Sequence, residues 1–211
     1  LTAPRDERVT APGARYIDFL VPGLLAMNLM GSGMWGVGFS VVWARTKKLL
    51  KRYAATPMRR PEFLASFIVM RLGLVVIEVA VILWFAVLAF DVEVQGRWID
   101  VALVTLLGAM MFSGVGLLAA ARPKTIEGMN GVMNLFMMPQ WILSGTFFSS
   151  ERFPAAFQPF IKVLPLTALN DALREIMNEG SSLGDVAPEI LVISIWLTVS
   201  YVAAIRFFRW Q

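Results

Sequence analysis

Two charged side chains stand inside a stretch otherwise suited to lipid: Arg71 and Glu78 lie within the apolar run from about Leu64 to Phe90. A charge near the bilayer centre costs roughly 2.5–3.5 kcal/mol on insertion scales, so such residues face a bundle interior or water and mark polar paths. Arg71 and Glu78 share one helix face about two turns apart, a spacing that predicts no tight direct pair. Their functional reading is the lining of a translocation path, with Glu78 as a proton or ion site in one version of that chemistry. Their structural reading is snorkelling for Arg71 and an interhelical partner for Glu78. The amides Asn28, Asn130, Asn134 and Gln140 also fall on apolar runs, where interhelical hydrogen bonds are their ordinary role. Asn28, Asn134 and Gln140 join Arg71 and Glu78 as candidates for the path.

Most other chemistry is excluded. The chain has no Cys and no His, so disulfides, thiolate metal sites, Cys nucleophiles and His-based triads are out, and no metal site is expected. No Gly-x-x-x-x-Gly-Lys-Ser/Thr loop exists, so the chain is not expected to hydrolyse ATP or to carry a cofactor of its own. Energy for any transport must come from another polypeptide or an ion gradient. Gly31-Ser-Gly-Met-Trp-Gly36 matches a dinucleotide fingerprint, but it sits inside an uncharged apolar run instead of a strand-to-helix turn. The small residues Ser32, Gly36 and Ser40, four apart, instead predict close helix packing, at a subunit interface in one version.

The elements that must position these residues are membrane helices. Of 211 residues, 57% are hydrophobic and 16% charged, and the charges cluster between long uncharged runs. A soluble domain carries about a quarter charged residues. A spanning helix needs about 20 mostly apolar residues. Five segments meet that need: about 20–43, 64–90, 98–121, 129–148 and 187–208. These runs are apolar throughout, where barrel strands would alternate over about ten residues. The expected fold is therefore all-α, a polytopic transmembrane helix bundle forming one domain. The net charge of +4 needs a membrane explanation before a nucleic-acid one.

Loop charges orient the spans. Segment 44–63, segment 122–128 and the C-terminal end hold more than half of the 19 Lys and Arg residues, and five spans place all three on one side. The opposite side carries most of the acids, including Asp91, Glu93, Glu151, Asp171, Glu175, Glu179 and Asp185. The positive-inside rule then makes the C-terminus cytoplasmic and the start of the chain external. The chain opens at Leu1 with polar residues to Arg15, and an external start without a signal peptide predicts a sixth span ahead of it.

Two loops are informative. Residues 45–53 form a short amphipathic helix in prospect, with Leu49, Leu50 and Tyr53 opposed to lysines, and Pro57 stops it. A solvated positive loop that also touches anionic headgroups is the plainer reading. Segment 149–186 is interrupted by Pro154, Pro159 and Pro165, yet contains Phe153, Phe157, Phe160 and Ile161, which fits a re-entrant or interfacial hairpin. After Pro165 the spacing of Leu166, Leu169, Leu173, Ile176 and Met177 predicts an amphipathic helix that ends at Gly180. Thr167 is its candidate N-cap, and Asp171, Arg174 and Glu175 are expected to face water or another subunit. Pro139 is expected to kink the fourth span, with Ser144-Gly145 ending it.

The run Pro139-Gln-Trp-Ile-Leu-Ser-Gly-Thr-Phe-Phe-Ser-Ser-Glu-Arg-Phe-Pro154, followed by Leu164-Pro-Leu-Thr-Ala-Leu-Asn-Asp-Ala-Leu-Arg174, resembles the membrane subunit of ABC exporters of the type 2 permease family. Tyr16-Ile-Asp-Phe-Leu-Val-Pro-Gly-Leu24 is similar to the opening of that family's second span, and Lys51-Arg-Tyr-Ala-Ala-Thr-Pro-Met58 to its coupling segment. The resemblance runs from about residue 16 to the end. It implies a half-transporter: two permease copies, identical or related, above two ABC ATPase subunits that bind ATP-Mg, in a bacterial or archaeal cytoplasmic membrane. It assigns contact with the ATPase to Lys47, Leu49, Leu50, Lys51, Arg52, Tyr53, Thr56 and Pro57. The competing expectation is an ion-coupled secondary transporter that uses Glu78. Membrane lipids are partners in either case, and nucleic acid in neither.

Overall fold

The computed structural model describes residues 15–49, 60–147, 153–154 and 157–207. Seven helices make up the regular structure among them, and no strand occurs there. In chain order they are α1 (Tyr16–Thr46), α2 (Arg60–Phe90), α3 (Trp98–Ala119), α4 (Ile126–Leu143), α5 (Gln158–Val163), α6 (Pro165–Glu179) and α7 (Ala187–Phe207).

Four of them, α1, α2 from Val69 onward, α3 and α7, are long and apolar enough to cross a membrane. These match four of the five expected spans. The fifth expectation, 129–148, corresponds to α4, an 18-residue helix that starts earlier and stops at Leu143. Its start is set by Thr125, whose hydroxyl accepts the Gly128 amide at 3.2 Å. Its end is set by Ser144 and by Gly145, whose φ of +75° suits a residue without a Cβ.

Helix α3 is the centre of the bundle and packs against α1, α2, α4, α6 and α7. Three of its glycines explain how. A Cβ on Gly116 would stand 2.8 Å from the Met34 carbonyl of α1. One on Gly114 would stand 2.7 Å from the Tyr201 ring of α7, and one on Gly108 2.7 Å from Leu169 of α6. Missing side chains thus let three helices approach one backbone, the packing device of membrane bundles. On α1 the matching close approaches are at Gly33, against Phe112, and at Gly38, against the Gly116 carbonyl. The stripe Ser32, Gly36 and Ser40 lies further round α1: Gly36 is exposed, Ser40 partly so, and Ser32 and Gly36 look toward Arg71 of α2. The tightest packing therefore belongs to the neighbouring face of α1.

Helix α2 is mostly uncovered, with Val69, Met70, Val76, Ile77, Trp84 and Leu88 all more than half exposed. An apolar exposed face on a spanning helix is suited to lipid. Helix α6 is the opposite case. Leu166, Leu169, Leu173, Ile176 and Met177 are buried against α1, α3 and α7, so the predicted apolar stripe exists and packs on protein. Gly180 ends it in the left-handed conformation, φ +72°.

Candidate sites in the membrane and at its two faces

The mid-span charges form a closed cluster. The Arg71 guanidinium donates to both carboxylate oxygens of Glu78, at 2.8 and 2.7 Å. This corrects the expectation that seven residues of separation forbids a tight pair. The distance is bridged because the long Arg71 side chain runs along its own helix, while helical side chains such as Glu78 lean back toward the N-terminus. The hydroxyl of Ser32, across on α1, receives a short contact from Arg71 and has two acceptors in reach: Glu78 at 3.0 Å and the Asn28 carbonyl at 2.6 Å. Arg71 is buried, with its side chain 5% exposed, whereas Glu78 retains 32%. The cluster is therefore a neutral pair that opens to the outside of the chain on its carboxylate side.

Of the other amides, Asn28 joins through its backbone, and its side chain is exposed. Asn134 is exposed on α4. Gln140 is buried and engaged elsewhere: its Oε1 accepts the Leu166 amide of α6 at 3.1 Å. That amide is one of the donors every helix leaves unpaired at its start. Thr167 is not the cap of α6. Leu164 holds that position, Pro165 begins the helix, and Gln140 supplies the acceptor.

At the end of the bundle where α6 lies, Arg174, expected to face water or another subunit, instead packs inside the chain. Asn170, Arg174 and Asn178 are four apart on α6 and all three donate to the protein. Asn170 Nδ2 reaches the Ser144 carbonyl at 3.1 Å and the Thr146 hydroxyl at 2.9 Å. Arg174 donates to the carbonyls of Gly145 at 2.6 Å and Phe19 at 3.3 Å, and its guanidinium stacks 3.7 Å over the Phe19 ring. Burial pushes this guanidinium below its ordinary value, with Asp171 at 3.9 Å opposing that. Asn178 Nδ2 reaches the Asp18 carbonyl at 3.0 Å. Pro22 lacks the amide that would otherwise bond to Asp18, so a proline in α1 releases the acceptor that Asn178 takes. The signal was present: three polar donors at spacing four, beside an apolar stripe, are aimed at the same side as that stripe.

Arg15 closes the same face. It pairs with Asp18 at 3.1 Å and donates to the carbonyls of Phe90 at 3.0 Å and Asp91 at 2.8 Å, where α2 ends. The Gln95 amide donates to the Met177 carbonyl at 2.8 Å, which fixes the α2–α3 turn to α6.

At the other end, Lys47 and Lys48 are exposed and Leu49 is half-buried against the core. Leu50, Lys51, Arg52, Tyr53, Thr56 and Pro57 lie outside the described residues. Among the described residues no three acidic side chains gather to hold a metal ion.

A model of the ABC-2 type transporter family matches residues 7–178, which run from before α1 to the last turn of α6. The chain belongs to the ABC-2 type transporter membrane family. It is 28% identical over 190 residues to ABC transporter G family member 20 of Dictyostelium discoideum, covering 88% of this chain and 26% of that protein. It is 28% identical over 165 residues to the inner membrane transport permease YadH of Escherichia coli, covering 77% of this chain and 63% of YadH. The probable multidrug ABC transporter permease YbhR of Escherichia coli is 23% identical over 185 residues, which is 88% of this chain and 49% of YbhR. The chain thus spans less than two thirds of the length of each of these relatives. No solved structure matches it. Membership makes this ABC-2 chain an integral membrane protein of the permease kind, and four of its described helices are long and apolar enough to cross a membrane.

Proposed function

We propose that the chain is the membrane-spanning part of an ATP-driven exporter whose ATPase is a separate subunit. The family match over residues 7–178 carries this reading. Contact with the ATPase falls to Lys47, Leu49 and the segment through Pro57, because short basic amphipathic helices between spans suit a groove on a cytoplasmic partner. Helix α4 is the fifth span, with its length near the lower limit for crossing. Helices α5 and α6 are the re-entrant pair on the outer side, where non-helical backbone is tolerated because it is buried in protein. The C-terminus is cytoplasmic, the membrane is a bacterial or archaeal cytoplasmic membrane, and a second permease copy completes the path.

The arrangement at Glu78 weighs against the secondary-transport alternative, since an acid bonded twice to Arg71 is already neutralised. The path reading stays with Arg71, Glu78, Asn28 and Asn134, and Gln140 leaves it. The test is isolation of the full-length protein from its native membrane in mild detergent. A phosphate-loop ATPase should accompany it in stoichiometric amount. Purification without one, together with transport driven by an ion gradient alone, would sink the reading.

A further inference from the structure

Arg45 lies in the last turn of α1, next to Lys47 and Lys48, and is buried despite its charge. Its guanidinium donates to the Ala120 carbonyl at 2.8 Å, the Ala121 carbonyl at 3.3 Å and the Pro123 carbonyl. Ala120 is the C-cap of α3 and Pro123 stops any continuation of it, so these acceptors lie where a helix runs out of donors. Ala120 and Ala121 are fully buried, and water cannot take the place of the guanidinium. A cation at the negative end of α3 is also favoured by the helix dipole.

The same short turn leads straight into α4. Thr125, two residues after Pro123, caps that helix. Arg122 stacks 5.3 Å over the Phe207 ring at the end of α7. One turn before the C-terminal end of α3, α1 and α3 already approach closely, a Cβ on Gly38 falling 3.0 Å from the Gly116 carbonyl. Arg45 thus joins the end of α1, from which the basic segment departs, to the turn that starts α4.

We propose that Arg45 is a positioning residue for energy coupling: its three-carbonyl grip makes the α3–α4 turn follow the basic segment when the ATPase moves it. This rests on the coupling role assigned above to residues 47–57. A lysine at position 45 keeps the charge but is a point donor, and cannot hold three carbonyls in a planar fork.

The experiment uses the full-length protein assembled with its ATPase in lipid nanodiscs. Spin labels are placed in pairs, at Lys48 with Glu93 and at Glu127 with Glu93, all exposed positions. Distances are measured without nucleotide and after ATP-vanadate trapping. The expected result is that both pairs shift in the wild type. In R45Q the Lys48 pair still shifts while the Glu127 shift falls at least twofold, and R45K behaves like R45Q at ATP hydrolysis within twofold of wild type. A Glu127 shift of wild-type size in R45Q and R45K overturns the proposal, as does a wild type in which Lys48 shifts and Glu127 does not. Failure of the Lys48 pair to shift in the wild type removes the coupling role of the basic segment itself, and the proposal falls with it. If R45Q does not assemble, R45K alone decides the outcome.

Discussion

Glu78 receives both terminal nitrogens of Arg71 along a single helix, and Ser32 of α1 touches the pair from the side. Removing one partner strands the other charge. A fully buried pair broken on one side costs about 3–5 kcal/mol, a ceiling here because Glu78 keeps 32% exposure, and replacement of both partners costs much less. R71M should therefore lower the thermal midpoint in detergent more than R71M/E78M does. Scanning fluorimetry on the seven Trp residues reads this directly. A double variant as unstable as the single would show that the pair is not the unit.

The glycine contacts make a position-specific prediction. G116A puts a methyl group against the Met34 backbone, which cannot swing away, and should cost about 1–3 kcal/mol. G31A meets nothing within 4 Å, and should be neutral or stabilising by up to about 1 kcal/mol through helix propensity. Equal thermal midpoints for the two variants would refute the central place given to α3.

Arg174 binds α6 to α1 and to the turn after α4, so R174M should loosen that end of the bundle without touching the mid-span charges. Hydrogen exchange of the amides in 144–147 and 16–23 should accelerate at least tenfold, while α3 stays protected. N178A, which frees one carbonyl instead of several, should show a smaller effect confined to the start of α1. Exchange spread evenly over all helices would contradict this.

Glu175 gives a pH prediction. Burial raises its carboxyl above the ordinary 4.5, and the negative charges of Glu189, Glu179, Asp171 and Asp185 raise it further. A carboxyl raised in the folded state binds its proton more tightly there than when unfolded. Its contribution is fully favourable below the ordinary value and is lost as pH rises through the folded one. E175Q should therefore match the wild type near pH 4 and exceed it in thermal midpoint at pH 7 and above. A constant difference across that range would exclude titration as the cause.

The spans were legible because uncharged apolar runs of this length have few other uses: α1 and α2 contain the runs read from the sequence, and α3 and α7 cover all but the last one or two residues of theirs. The ends were less legible. Helix α1 begins at Tyr16, ahead of Leu20, because Asp18 accepts the Arg15 amide and guanidinium and holds the first turn. Partners were least legible. Small residues at Ser32, Gly36 and Ser40 look as suited to packing as Gly33 and Gly38 do. The choice between faces depends on where Phe112 and Gly116 arrive, which spacing within α1 does not encode. Charge misled at Arg174 for a related reason: its acceptors, the carbonyls of Gly145 and Phe19, belong to segments far off in the chain.

Helix α3 fits α1, α6 and α7 through absent side chains, so those four helices are interlocked by shape. Helix α2 is attached differently. Its Gly73 meets open space, and its link to α1 at mid-membrane is a hydroxyl against an ion pair. Interlocked backbones resist sliding, because any displacement drives a carbonyl into a Cα. A hydroxyl with several acceptors in reach can exchange one for another at small cost. The four-helix block is thus held by shape, whereas at mid-span α2 is held to α1 by polar contacts, with Arg15 fastening its far end.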